Sequence, residues 1–173
     1  MKKFITITLL SLFTFAQSQT NAKPPKGFKI TYNRSSNGKL IENQDAIFVF
    51  TNPTETLVTS EKMNSGKAEF PFEQTLINRS ENKIVQVTQL KKEKSVTTVD
   101  SLSLAKQNFE FLTDTKTILG YKCQKAKTII NSNTIELWYT NELQVKGAPT
   151  TLGQNIGLVL EMVRNGNFVI SAT

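Results

Sequence analysis

Apolar and polar residues alternate with a period of two along most of the chain, and turn-forming residues interrupt the alternation at short intervals. The clearest element lies at the end. In residues 157–173 two apolar runs flank Asn165-Gly166, a dipeptide that accepts positive φ at both central positions of a type I′ turn, so the segment predicts a β-hairpin. Pairing across a two-residue turn sets Val163 opposite Phe168, Glu161 opposite Ile170 and Val159 opposite Ala172, and groups Leu158, Leu160, Met162 and Val169 on the other face. A three-residue turn with a bulge would exchange the faces. Both faces are largely apolar, so the hairpin needs cover on two sides: its own core on one, and a ligand, a neighbouring domain or a further layer of the chain on the other.

Upstream, Phe28, Ile30 and Tyr32 alternate with Lys29, Thr31 and Asn33 as in a half-buried strand. Residues 45–51 are apolar on both sides, the pattern of a central strand, and Asn52-Pro53 ends it. Further strands are predicted at 55–62, 73–78, 83–90, 95–99, 109–112, 121–130 and 134–140, with one helical turn at 102–107. The Phe70-Pro71-Phe72 bend is expected to plug one end of the core with its rings. Short strands at close spacing, separated by Gly, Asn and Pro, predict an all-β fold: a curved, mostly antiparallel sheet, bowl or half-barrel, of about ten strands with little helix.

The first 18 residues break this rhythm. Lys2 and Lys3 precede an apolar run from Phe4 to Ala16 and then small polar residues, the layout of a cleaved secretory signal. Ala16 and Ser18 occupy the small-residue positions before a cut, which leaves Gln19 as the mature N-terminus and residues 19–173 as a single β-rich domain. The run is too short to span a bilayer and no cysteine follows it, so an exported protein, periplasmic or secreted and without a membrane span, is expected.

Charge adds little. The formal net charge is +7, and losing Lys2 and Lys3 reduces 21 basic residues to 19 against 14 acidic, leaving +5. These cations are scattered over strands and turns with no recognition helix or basic arm, so nucleic acid is not an expected partner. Residue types prune more. Histidine is absent and Cys123 is the only cysteine, which removes His-dependent nucleophilic triads, His-based zinc sites, thiol redox pairs and internal disulfides. No metal site or cofactor is expected, because the aspartates also lack calcium-loop spacing. Cys123 itself reads as a small buried hydrophobe.

Three features then resemble a known family: Ile118-Leu119-Gly120-Tyr121-Lys122-Cys123-Gln124-Lys125-Ala126, Leu137-Trp138-Tyr139-Thr140-Asn141-Glu142-Leu143, and Gly157-Leu158-Val159-Leu160-Glu161. This order is similar to that of the GLPGLI family of exported Bacteroidetes proteins, although Gln154, Asn155 and Ile156 stand where that family places Gly, Leu and Pro. The β-rich pattern also resembles the bowl-like N-terminal domain of peptide-N-glycosidases of the PNGase F-II type. The resemblance implies an exported β-domain with no catalytic residues of its own, and a chain that is the N-terminal module of a longer enzyme.

Glu136 and Glu161 form the one carboxylate pair that glycoside hydrolysis would need, but single acids on strands more often pair with lysine at a rim, and no catalytic site is expected within the chain. The expected binding residues are Leu158, Leu160, Met162, Val169 and Trp138, offered to an apolar ligand or to a neighbouring protein domain. Asp100-Ser101-Leu102 resembles the O-glycosylation acceptor of exported Bacteroidetes proteins, with Ser101 as the acceptor. The two functions in view are an exported, non-catalytic binding domain and the accessory N-terminal domain of a secreted peptide-N-glycosidase.

Overall fold

Period-two alternation becomes strand in the computed structural model of the protein, which describes residues 25–173; the expected leader lies outside the described residues. In chain order the strands are β1 (Phe28–Ser36), β2 (Lys39–Leu40), β3 (Ile47–Thr51), β4 (Glu55–Ser60), β5 (Phe72–Asn78), β6 (Lys83–Lys91), β7 (Lys94–Asp100), β8 (Glu110–Ile118), β9 (Tyr121–Ile130), β10 (Asn133–Thr140), β11 (Leu158–Arg164) and β12 (Phe168–Ala172). One helical turn, α1 (Glu61–Asn64), follows β4 and is capped by the Ser60 hydroxyl, which accepts from Met63 N. It shortens the strand expected at 55–62. The helical turn expected at 102–107 is instead a series of turns.

All twelve strands belong to one open antiparallel sheet, in the order β7-β6-β5-β4-β3-β1-β12-β11-β10-β9-β8, with β2 hanging from β1. Two meanders, one from each half of the chain, are thus joined side by side through β1 and β12. Apart from the small β2, every strand pairs with its neighbours in sequence except β7 and β8. The sheet does not close, since β7 and β8 remain unpaired edges, and it is the open, curved antiparallel sheet that the short, evenly spaced strands predicted.

Its core gathers where the meanders meet. Tyr32, Val49, Leu137, Leu158 and Val159 are fully buried, with Ile170, Met162 and Ala126 around them. Burying each large side chain contributes about 1.5–3 kcal/mol relative to leaving it exposed. The Tyr32 hydroxyl, sealed in this core, donates to the Val159 carbonyl at 2.7 Å, so the one polar atom that the ring carries inward is satisfied. A second cluster, Ile77, Ile84 and Leu104, sits under the first meander.

The long connection between β10 and β11 closes over the core. Val145 and Ala148 are buried, Gly147 N donates to Gly157 O at 3.0 Å, and Val159 N donates to Gly147 O at 2.8 Å. The buried Thr51 hydroxyl donates to Lys146 O and ties this connection to β3. Gly157 is required where β11 begins: at φ 144°, a Cβ there would lie 2.7 Å from Thr140 O.

The hairpin register differs from the two-residue expectation. Pairing runs Arg164 with Phe168, Val163 with Val169, Met162 with Ile170 and Glu161 with Ser171. Asn165 and Gly166 do take positive φ, 51° and 72°, and Asn167 N bonds Arg164 O at 3.2 Å. Asn167 is then spent in the turn, because its carbonyl accepts from Asn37 N at 2.9 Å, so the pairing shifts by one residue. Val169 accordingly lies on the face opposite Met162 and Ile170. The Phe70 and Phe72 rings also depart from expectation: they stack on each other at 5.2 Å, and Phe70 is exposed instead of plugging the core.

Candidate binding site

Of the residues expected to bind, Leu158, Leu160 and Met162 are 1, 2 and 7% exposed, buried beneath the β10–β11 connection. Val169 and Trp138 are half-buried on other ground. The structure therefore does not bring the five together on one open surface.

Trp138 lies in a cross-strand row with Lys125 of β9 and Glu161 of β11. Lys116 and Lys125 sit over its ring at 4.3 and 5.2 Å from the centroid. The same lysines close the two carboxylates, Lys116 on Glu161 at 2.5 Å and Lys125 on Glu136 at 3.1 Å. This is a knot of charge around one indole, in which each carboxylate is neutralised by a lysine. Cys123 is fully buried, and loss of solvent pushes its thiol above the ordinary range, so it is an inert core residue.

A hollow lies beside the connection between β7 and β8. Residues 101–109 carry the chain from β7 to β8, from one free edge of the sheet to the other. Leu104 turns inward onto Ile77 and Ile84, and the Gln107 side chain pins the segment to the β10–β11 connection, donating to Thr151 O at 2.8 Å and accepting from Gly153 N at 3.0 Å. Between this strap and the end of β9 opens a cleft of about 760 Å³. Its apolar walls are Leu102, Phe109, Ile129, Ile130 and Leu152, with Lys106, Asn108 and Thr128 among the polar groups.

Asp100, at the end of β7, organises the mouth. Its carboxylate accepts from Leu102 N and Ser103 N, both at 2.8 Å, and from the Ser103 hydroxyl. The Ser103 hydroxyl foremost, with these amides, holds the Asp100 carboxyl below the usual carboxylate range. Ser101 stands exposed at the apex of this turn. The sequence drew attention to Asp100-Ser101-Leu102 but not to the cleft beside it; its available signal was the exposed Ile129-Ile130 pair just before the Asn131-Ser132 turn.

Comparison with known proteins accounts for the fold. The sequence pattern of the family described as N-glycanase peptide, N-terminal domain (PNGase F-II, N-terminal) matches residues 30–173. Comparison with curated proteins gives no match. Two crystal structures of PNGF-II, in space groups P21 and C2, superpose with TM-scores of 0.80 and 0.79, each at 50% sequence identity over 84% of this chain. The matched region is 27% and 26% of those chains, so this chain spans about a quarter of their length. With the family pattern matched over residues 30–173 and the fold superposing at that identity, the chain belongs to the family of PNGase F-II N-terminal domains.

Proposed function

We propose that the chain serves as the N-terminal accessory β-domain of a secreted peptide-N-glycosidase acting on glycoproteins, supplying a surface against which other protein binds and no catalytic group of its own. The observation that carries this reading is the match of residues 30–173 to a domain that occupies only about a quarter of PNGF-II. The burial of Leu158, Leu160 and Met162 favours a protein partner over a small apolar ligand, since those side chains already fill the core. The signal-like residues 1–18 support export.

A chimera tests it. This chain would replace the corresponding quarter of PNGF-II, and glycan release from a denatured glycoprotein would be measured for the chimera, for the parent and for this chain alone. The chimera is expected to assemble and act like the parent, and the chain alone to release nothing. Glycan release by the chain alone, or a chimera that does not assemble, would overturn the reading.

A further inference from the structure

β8 begins late. Its first residue, Glu110, pairs with Lys127, whereas β9 runs on through Thr128, Ile129 and Ile130, whose strand partner is β10 alone. Ile130 and Asn133 close that hairpin around Asn131 and Ser132, both at positive φ, 48° and 63°. A closing pair of this kind aims the main chain of Ile130 at β10, and the alternation of an antiparallel ladder turns the N–H and C=O of Ile129 outward. The row that β8 would have continued is the cleft. Its far wall is Asp100, the last residue of β7, the other free edge.

The side chains along this empty row are those of a strand site. Ile129 is 67% exposed and Leu102 62%, unusual for large aliphatic residues, and Phe109, Ile130 and Leu152 line the same cleft. Charge is nearly balanced, because the cleft is lined by one carboxylate, Asp100, and one ammonium, Lys106. A free ladder edge beside exposed apolar side chains recognises main chain, as in β-strand addition.

We propose that this cleft binds an extended polypeptide segment, which adds as a strand outside β9, pairs with the main chain of Ile129 and lays alternate apolar side chains between Leu102, Phe109 and Ile130. Only the source of that segment, the unfolded protein part of a glycoprotein substrate, rests on the function proposed above.

The test uses the chain alone, so that its failure and that of the chimera are read separately. A short fluorescein-labelled peptide of alternating valine and threonine is titrated with the protein and followed by anisotropy, next to a counterpart N-methylated along its main chain and next to a labelled N-glycan free of peptide. Saturable binding of the first peptide only is expected, weakened on the order of tenfold by Leu102→Asp and by Ile129→Pro, which removes the outward N–H. Circular dichroism establishes that the variants are folded; should one misfold, the N-methylated peptide still decides on the unaltered protein. No saturable binding, equal binding of the N-methylated peptide, or binding of the free glycan instead would overturn the proposal.

Discussion

Single positions carry consequences out of proportion to their size. Gly157→Ala would drive a methyl group into the main chain of Thr140 and the ring of Tyr139 at a φ that side chains avoid. A loss of about 2–4 kcal/mol is expected, checked by urea unfolding. Tyr32 gives a pH dependence. An unfolded tyrosine releases its proton near pH 10, whereas burial raises the pKa of Tyr32 far above that. Above about pH 10 the unfolded state therefore binds fewer protons than the folded one, and stability falls as pH rises, by up to about 1.4 kcal/mol per pH unit for this group. Tyr32→Phe should remove that part of the alkaline slope while costing about 1–2 kcal/mol at neutral pH, where the bond to Val159 O is lost. Neither role was legible beforehand. Tyr32 announced itself as an inward residue of an alternating strand, but its partner is 127 residues away, and Gly157 stood out only as the first residue of the hairpin segment.

Elements were more legible than their joints. The central character of β3, the β5–β6 hairpin and the long β9 all follow from local alternation and turn residues, since strand identity is written in the nearest few positions. Register was not, because it depended on Asn37, in the turn between β1 and β2, claiming the Asn167 carbonyl. The turn itself remains a test at this scale. Gly166 has open space around it but φ 72°, so Gly166→Val should cost about 1–3 kcal/mol through backbone conformation alone, read as a fall in melting temperature with no loss of the fold. A half-buried Arg79 shows how joints are made without any motif. Its guanidinium bonds the Pro53, Asn52 and Glu55 carbonyls and the Thr51 and Thr56 hydroxyls, closing the β3–β4 turn, and burial pulls its pKa down to about 10. The cleft escaped notice for the same reason: its walls come from three segments that only the assembled sheet brings together.

For the whole molecule, the sequence foresaw an open curved sheet but not its order, and the order changes what the chain's ends do. Export predicts a mature protein that starts near Gln19 and folds without a disulfide; N-terminal sequencing and intact mass of secreted material check this, and added mass lost in Ser101→Ala would identify that serine as modified. Joining the two meanders through β1 and β12 pairs Tyr32 with Ala172, the most distant partners in sequence that the sheet contains. Each meander is built from local contacts and can form early, whereas the ladder between them must wait until about 140 residues of chain have been looped together, an entropic delay that grows with separation. Folding should therefore run in two kinetic stages, and substitutions in the β1–β12 ladder should speed unfolding while leaving the early stage untouched.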